Sequence, residues 1–346
     1  MSRVSSQPLP APSSPPAPAP AKELPRLMRA VNLAVYGLVS ALLYCARLVP
    51  MGFTFWWTRQ LAHLAYRLFR GRRALLRYNL ELALSQEYSI EERERIGRQS
   101  IEHLFWSLGE LMHWERIHGR LSEHFKFEGA EIIERLVAAK QGFFLVGGHL
   151  GGWATMSLVF KFPELPAIHM VAKGMRNAKV QGLLEYLAGA HNIRIISGKG
   201  QGQVIEDRVQ RGEIMQFWMD QEARRDQGTF VQFFGREASS FVVPGYLAWK
   251  NGVALVPYWV IRERPGHFRV EIREPLRYEL TNDKQENNRR VTQVIIAEVE
   301  RAVREHPEQW LWIHNRWRRR PDGTKVELFR KRRLRARTRS TSKART

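Results

Sequence analysis

Cysteine is almost missing from this chain of 346 residues, in which Cys45 is the only one. One thiol excludes an internal disulfide framework and a metal site built from several cysteines. The glycine clusters also match neither phosphate-binding pattern, since there is no G-x-x-x-x-G-K-[ST] and no G-x-G-x-x-G between a strand and a helix. These absences indicate a protein that faces a reducing compartment and lacks the usual nucleotide-binding loops.

Acidic residues are scarce relative to basic ones, because 34 Asp and Glu stand against 55 Lys and Arg, for a net charge of +21. Such an excess predicts attraction to polyanions, either nucleic acid or an anionic membrane surface. The basic residues between Arg330 and Arg345 form a terminal patch without interleaved aromatics, which disfavours specific nucleic-acid binding. A hydrophobic content of 44% supports a sizeable core in one large or two small domains.

The N-terminal 70 residues divide into segments of different composition. Residues 1–25 are dominated by Pro, Ala and Ser and predict a disordered tail. The apolar run Ala30–Val49 has about the 20 residues that a bilayer crossing needs, so it predicts a membrane-anchor helix. The aromatic-rich run Phe53–Phe69 predicts an interfacial helix, and the alternative is a pair of buried core helices. The predicted division of the chain is 1–25 (tail), 26–70 (anchor and interfacial helix), 71–323 (main domain) and 324–346 (basic disordered tail).

The main domain is predicted to begin with helices up to about Lys126 and then to alternate strands with helices. The predicted strands are Phe143–Val146, Ile168–Val171, Ile193–Ile196, Ile214–Met219, Ala254–Val260 and Phe268–Ile272. The predicted helices in this part are Glu128–Lys140, Trp153–Phe160, Ala178–Ala190, Gln203–Arg211, Pro244–Asn251 and Asn288–Glu305. This alternation is typical of α/β layers.

A histidine packed among glycines, His149, follows the first predicted strand in Val146-Gly-Gly-His-Leu-Gly-Gly-Trp-Ala154. A neutral imidazole can take a proton from an attacking hydroxyl near pH 7. The glycines let backbone and substrate approach closely. A carboxylate five residues after the histidine would orient the ring, but Ala154 occupies that position. The alternative role for His149 is a hydrogen-bonded structural residue.

A second polar cluster, Asp220-Gln221-Glu222, ends the predicted strand Ile214–Met219. Ligands tend to bind beyond the carboxyl ends of strands in α/β sheets, so a carboxylate at this place is a candidate to face His149. The alternative is that Asp220 caps the following turn.

Two further groups have weaker functional interpretations. Phe233 and Phe234 lie in the aromatic-rich turn Gly228–Gly235 and predict either an acyl pocket or core packing. Lys173 and Arg176 follow a predicted strand and predict either binding of a phosphate or an acidic carrier protein, or a solvated basic loop.

A metal site is disfavoured for the histidines His113 and His118 near Glu115. Their i, i+5 spacing does not place both rings on one face of a helix.

Taken together, these blocks resemble the bacterial lipid A biosynthesis acyltransferases, the lauroyl/myristoyl acyltransferase family within the wider lysophospholipid acyltransferase-like group. The resemblance covers roughly residues 79–322 and the N-terminal segment. It depends on blocks in a fixed order: Gly147–Trp153, Asp220-Gln221, Gly228–Gly235, Pro244–Ala248, Val256-Pro257, Glu308–Trp317 and Arg320–Gly323. The last blocks, with the run Trp-Ile-His-Asn-Arg-Trp, are the most specific.

The resemblance implies a mixed central sheet flanked by helices, at the cytoplasmic face of a bacterial inner membrane. It implies transfer of a fatty acyl group from an acyl carrier protein thioester to a lipid hydroxyl, without metal or cofactor. His149 and Asp220 are the expected catalytic residues. The expected substrate-binding residues are Gly148, Gly151, Gly152, Trp153, Lys173, Arg176, Gln221, Phe234 and Gly235.

The chain departs from the family pattern of His, four residues, then Asp or Glu, because position 154 is alanine. A second family position, an arginine, aligns near Ala188. Three hypotheses follow: an active enzyme in which Asp220 or Glu222 orients His149, a slow enzyme for an activated or unusual acceptor, and an inactive homologue that binds lipid or regulates a partner. Loss of the orienting carboxylate costs about 10⁴-fold in serine proteases, so the change at position 154 matters.

Overall fold

The computed structural model describes residues 26–46, 48–155, 165–166, 168–171, 193–196 and 201–326. In these stretches an N-terminal group of helices precedes a sheet that carries helices on both faces. The helices are α1 (Arg26–Ala46), α2 (Met51–Leu68), α3 (Arg70–Leu84), α4 (Ile90–Met112), α5 (Trp114–Gly119), α6 (Leu121–His124), α7 (Ala130–Ala138), α8 (Gly202–Gln210), α9 (Val243–Asn251) and α10 (Lys284–Glu305). The strands are β1 (Phe125–Glu128), β2 (Phe143–Gly147), β3 (Ile168–Val171), β4 (Ile193–Ile196), β5 (Ile214–Trp218), β6 (Gly228–Phe233), β7 (Arg236–Phe241), β8 (Ala254–Arg264) and β9 (His267–Ile272).

The two longest helices of the main domain begin at side-chain caps. At the start of α4 the Ser89 hydroxyl accepts from the Glu92 N–H, while the Glu92 carboxylate accepts from the Ser89 N–H. At the start of α10 the Asp283 carboxylate accepts from the N–H groups of the next turn. Each cap satisfies backbone donors that have no partner within the helix. The caps therefore set where both helices begin.

The central sheet is mixed and has the strand order β1-β9-β8-β2-β5-β3-β4. The strands from β8 to β4 are parallel to their neighbours, β9 is antiparallel to β8, and β1 is parallel to β9. A separate antiparallel hairpin consists of β6 and β7 and contacts α10. The predicted mixed sheet flanked by helices is confirmed.

The hydrophobic core lies in two layers, one on each face of the sheet. Successive residues of β2 point to opposite faces, so Phe143 and Leu145 join one layer while Phe144 and Val146 join the other. Helices α3, α4, α8, α9 and α10 contribute to the second layer and α7 contributes to the first. Because β2 is buried on both faces, its sequence is a continuous apolar run rather than an alternating one.

A buried ion pair joins α4 to β8. The guanidinium of Arg262 donates to both carboxylate oxygens of Glu110, at 2.7 and 2.6 Å, and neither side chain is exposed. The same guanidinium donates to Ser107 and contacts Nδ1 of His103 at 2.7 Å. Burial first, and then the charge of Arg262, lower the pKa of His103 to about 2. The pair fixes the packing of α4 against the strand that borders β2.

The predicted strands are all present, and the differences lie in short elements and in two boundaries. Helix α10 begins at Lys284 rather than Asn288, and β8 extends to Arg264 rather than Val260. The helical stretch up to Lys126 ends in a strand instead, β1, which gains its partner from β9 far along the chain. The next helix begins at Ala130 and not at Glu128, because Gly129 adopts a positive φ of 81° in front of it. The predicted helix Trp153–Phe160 is described only over its first residues, which form a 3-10 turn, and the predicted helix Ala178–Ala190 lies outside the described residues.

The prediction of a membrane-anchor helix over Ala30–Val49 is supported only in part. A helix does form there, as α1. However, no helix within the described parts of the chain combines the length and the hydropathy that are needed to cross a membrane.

Candidate active site

The pairing of two parallel strands brings His149 and Asp220 together. In the register of β2 and β5, Gly147 is paired with Trp218, so His149 and Asp220 each lie two residues beyond a paired position. Both strands run in the same direction and therefore end at the same edge of the sheet. Equal distances beyond that edge place the imidazole next to the carboxylate.

Asp220 is buried and accepts three hydrogen bonds. Nδ1 of His149 lies 2.9 Å from Oδ1, and the backbone N–H of His149 donates to Oδ2 at 2.9 Å. The indole Nε1–H of Trp310 also donates to Oδ2, at 2.9 Å. The carboxylate therefore holds the histidine by both its ring and its backbone.

Asp220 is ionised at neutral pH. Burial by itself raises the pKa of this carboxyl group, but the charge and the hydrogen bonds of His149, with that of Trp310, lower the pKa to about 2. An ionised carboxylate only accepts hydrogen bonds, so the contact at Nδ1 requires a proton on that nitrogen. In the neutral ring the lone pair is then on Nε2, the nitrogen that can take up a proton.

Aromatic rings and one amide surround the imidazole, which is 8% exposed. The ring centroids of Trp153 and Trp218 lie 4.9 and 4.6 Å from that of His149. The amide Nε2 of Gln221 lies 3.2 Å from Nε2 of His149. The two indoles pack against the ring, and the Gln221 amide nitrogen is placed to donate a hydrogen bond to Nε2 of His149.

The glycines around His149 allow close packing that a larger residue would prevent. A Cβ atom on Gly151, whose φ is +58°, would lie 2.2 Å from the carbonyl oxygen of Val260. A Cβ on Gly152 would lie 2.5 Å from the ring of Phe268, and a Cβ on Gly148 would lie 3.1 Å from Cγ of Asp220. These three predicted substrate-binding glycines thus have a direct packing role against the neighbouring strand and the carboxylate.

A C-terminal segment closes over the loop that carries His149. Trp310 forms an antiparallel bridge with Leu150, and the Leu311 N–H donates to the carbonyl of His149 at 3.2 Å. The side-chain amide of Gln309 exchanges two hydrogen bonds with the backbone of Arg262 in β8. The segment is therefore fixed between the histidine loop and the sheet.

Of the two carboxylates that the sequence offered, Asp220 contacts the imidazole. Glu222 instead forms an ion pair with Arg319, at 3.1 Å, and its backbone N–H donates to Nε2 of His314 at 3.0 Å. Burial raises the pKa of Glu222 in spite of the nearby arginines. Burial also lowers the pKa of His314, to about 4.

The remaining predicted site residues lie elsewhere or outside the described chain. Phe234 and Gly235 form the turn between β6 and β7, where Phe234 packs against Trp312 and Trp317 and under the guanidinium of Arg304. These contacts are the ones expected if Phe234 packs in the core, which was the alternative to an acyl pocket. Lys173, Arg176 and the alignment position Ala188 lie outside the described residues.

Metal ligation has no support from side-chain clustering in the part of the chain that the structure describes, where no group of three or more His, Cys, Asp or Glu is placed to hold an ion. His113 contacts the Thr54 hydroxyl at 2.9 Å.

Position 154, which lacks the expected carboxylate, lies in the 3-10 turn Trp153–Thr155 directly after the glycine loop.

Two residues of the site have contacts that sequence reasoning did not assign: Trp310 and Trp218. Both are tryptophans, whose polar N–H needs a partner when the ring is buried. For Trp310 the available signal is the density of tryptophan between Trp310 and Trp317, but that density does not say which polar group the indole reaches.

The model of the family described as "Bacterial lipid A biosynthesis acyltransferase" matches residues 23–319 of this chain. The chain belongs to this family. As a lipid A biosynthesis acyltransferase family member it is an acyltransferase, and its described residues include the predicted His149 and Asp220 side by side.

Curated members of the family are similar to it at modest identity. The lipid A biosynthesis palmitoleoyltransferase of Escherichia coli K12 is 26% identical over 257 residues, which cover 73% of this chain and 81% of that protein. The lipid A biosynthesis lauroyltransferase of the same organism is 26% identical over 265 residues, or 76% and 84% of the two chains. The solved 1-acyl-sn-glycerophosphate acyltransferase PlsC of Thermotoga maritima shares 14% identity over 75% of this chain and 97% of its own, with a TM-score of 0.36.

Proposed function

We propose that this acyltransferase moves a fatty acyl group from an acyl carrier protein thioester to a hydroxyl of a lipid A-type acceptor, with His149 as general base. The observation that carries the proposal is the contact of Nδ1 of His149 with the buried, ionised Asp220. This contact leaves Nε2 as the proton acceptor. The names of the curated relatives supply the acceptor class.

In the proposed reaction one proton moves from the acceptor hydroxyl to His149 and then to the leaving thiolate. Nε2 of His149 accepts the proton of the acceptor hydroxyl while the hydroxyl oxygen attacks the carbonyl carbon of the thioester. The tetrahedral intermediate then collapses, the carbon–sulfur bond breaks, and the carrier thiolate takes the proton back from the imidazolium. The products are an ester and a free carrier thiol, so no metal or redox step is required.

Asp220 takes the orienting role that the family pattern gives to the residue five positions after the histidine. Its carboxylate selects the tautomer with the proton on Nδ1 and stabilises the imidazolium formed during the attack. Because Asp220 meets the ring directly, alanine at position 154 is compatible with activity. This argument favours the active enzyme over the inactive lipid-binding homologue.

The carrier protein and the membrane are the proposed partners. A net charge of +21 favours an acidic carrier protein and anionic headgroups alike. We place the protein at the cytoplasmic face of the bacterial inner membrane, where both substrates are available.

Helix α2 is the proposed contact with the membrane surface. Its outer face carries aromatic and aliphatic side chains that are half or more exposed, including Phe53, Trp56 and Trp57. Its opposite face, with Phe55 and Ala62, is buried against the protein. A helix with an outward apolar face and flanking arginines is suited to lie in the headgroup region without crossing the bilayer.

The test is acyl transfer from labelled carrier-protein thioesters of several chain lengths to lipid A precursors in mixed micelles. We expect transfer by the intact protein, loss of transfer in His149→Ala, and a decrease in kcat of about 10⁴-fold in Asp220→Asn. The matched control is Glu222→Gln, which removes a carboxylate two residues away that does not contact the ring.

Three results would contradict the proposal. Full activity of His149→Ala would exclude that residue as the base. An equal loss in Glu222→Gln and Asp220→Asn would mean that the contact between Asp220 and the ring is not what matters. No transfer by folded wild-type protein with any chain length would favour the inactive lipid-binding homologue.

A further inference from the structure

The indole of Trp310 is a hydrogen-bond donor to the carboxylate that holds His149. Trp310 is 1% exposed, and its Nε1–H lies 2.9 Å from Oδ2 of Asp220. A buried indole N–H requires an acceptor. Here the acceptor is a charged atom of the site rather than a backbone carbonyl.

This contact completes the orientation of the Asp220 carboxylate. Oδ2 accepts from Trp310 and from the backbone of His149, which leaves Oδ1 for the imidazole Nδ1. The carboxylate group can rotate about its Cβ–Cγ bond, and two donors on one oxygen fix that rotation. The donor from Trp310 is the one that comes from outside the His149 loop.

Trp310 also holds the loop that carries the other member of the pair, His149. Its backbone bridges Leu150, the residue directly after His149. One residue therefore holds the carboxylate by its side chain and the histidine loop by its backbone.

We propose that Trp310 is a positioning residue for acyl transfer, whose indole N–H holds Asp220 in the orientation that presents His149 as a base. The inference rests on the proposed function. It adds that the orientation of His149 in this chain, which has alanine at position 154, depends on a tryptophan 90 residues after the aspartate.

A neighbouring tryptophan provides a matched control. Trp312 is equally buried in the same aromatic cluster, with a ring centroid 4.6 Å from that of Trp310. Its indole donates to the carbonyl of Pro307 at 2.7 Å. Replacing either residue with phenylalanine removes one indole ring and one hydrogen bond, but only Trp310→Phe removes a hydrogen bond to Asp220.

The first experiment compares Trp310→Phe and Trp312→Phe as full-length proteins in the acyl-transfer assay, with rates per folded molecule. We expect Trp310→Phe to lower kcat by about 10- to 100-fold, the usual effect of losing a hydrogen bond to a charged group, with KM little changed. Trp312→Phe should stay within about threefold of wild type. Equal decreases in the two variants would overturn the inference, because both lose the same packing.

The second experiment asks whether Trp310 acts through Asp220. Adding Trp310→Phe to Asp220→Asn should cause no further decrease in kcat, whereas a purely structural defect would add to it. An additive decrease would therefore overturn the inference.

A third variant separates the loss of the donor from the loss of packing. The imidazole of Trp310→His keeps a ring nitrogen at the place of the indole nitrogen but fills less volume. If the donor matters, Trp310→His has a higher kcat than Trp310→Phe although it packs less well, and the reverse order would reject the proposal. An inactive wild type would instead reject the proposed function itself, so the two failures are distinguishable.

Discussion

At the scale of single residues, Gly151 in the His149 loop and Gly235 in the β6–β7 turn are expected to have unequal costs of replacement. Gly151 and Gly235 both have a positive φ, of +58° and +65°. Only Gly151 faces another part of the chain, because a Cβ there would lie 2.2 Å from the carbonyl oxygen of Val260, while nothing lies within 4 Å at Gly235. The two positions therefore separate backbone strain from close approach.

We predict that Gly235→Ala lowers the free energy of unfolding by about 1 kcal/mol, the cost of a left-handed conformation for alanine. Gly151→Ala should cost about 2–5 kcal/mol, since overpacking against Val260 adds to the same strain. Urea unfolding of both variants measures the difference. Equal stability of the two variants would contradict the prediction that the close approach at Gly151 adds a cost beyond backbone strain.

The pairing of His149 with Asp220 could be anticipated from the sequence. Both residues follow apolar runs that read as parallel strands, and the ends of such strands meet at one edge of a sheet. The choice between Asp220 and Glu222 could not be made, because it depends on which side chain turns back toward His149. Glu222 turns away to Arg319, a contact with the C-terminal part of the chain.

At the scale of elements, helix α2 exposes large aromatic residues and buries a small one, which is the opposite of the arrangement in a core helix. Its largest aromatic residues, Trp56 and Trp57, are 54% and 50% exposed, whereas the smaller Ala62 is 1% exposed. Burial of such rings in a headgroup region stabilises attachment by about 25 cal/mol for each Å² removed from water.

We predict that the double substitution Trp56→Glu and Trp57→Glu weakens binding to vesicles of phosphatidylethanolamine and phosphatidylglycerol by at least about tenfold, because two large rings no longer leave water. The matched control is Leu280→Glu, which places a carboxylate at another leucine that is 50% exposed. Co-sedimentation with vesicles measures both. Unchanged binding of the double variant would show that α2 is not the contact surface.

Amphipathic sequence pattern alone left α2 between two predictions, an interfacial helix and a buried one. Periodicity tells which residues share a face, but it does not tell which face meets the protein. The contacts of α4 with one side of α2 decide this, and they form only in the folded chain. The β6–β7 hairpin was missed for a related reason, since its aromatic run also reads as a turn until α10 packs against it.

At the scale of the whole molecule, buried histidines make the free energy of unfolding depend on pH. His314 has a pKa of about 4 in the folded protein, mainly because of burial, and an unfolded histidine has a pKa of about 6.5. The folded pKa is the lower of the two, so the contribution to stability is full above pH 6.5 and is lost as the pH falls toward 4. The buried His103 acts in the same direction.

We predict that the free energy of unfolding decreases as the pH falls from 6.5 to 4, and that His314→Gln removes about 3 kcal/mol of this decrease. Glutamine can still accept from the Glu222 N–H but does not titrate. Urea unfolding at several pH values gives the difference between variant and wild type, in which all other groups cancel. A difference that does not change with pH would contradict the prediction.

By itself, the sequence determined the α/β class, the strands of the central sheet and the two polar clusters at their ends, because buried parallel strands and glycine-rich turns have local signatures. It also determined the net charge of the chain and the aromatic content of α2. Only the tertiary structure decided which carboxylate meets His149, which face of α2 is buried, and that the indole of Trp310 reaches Asp220. Each of these is a contact between segments far apart in the chain, and such a contact depends on three-dimensional packing, which no local pattern encodes.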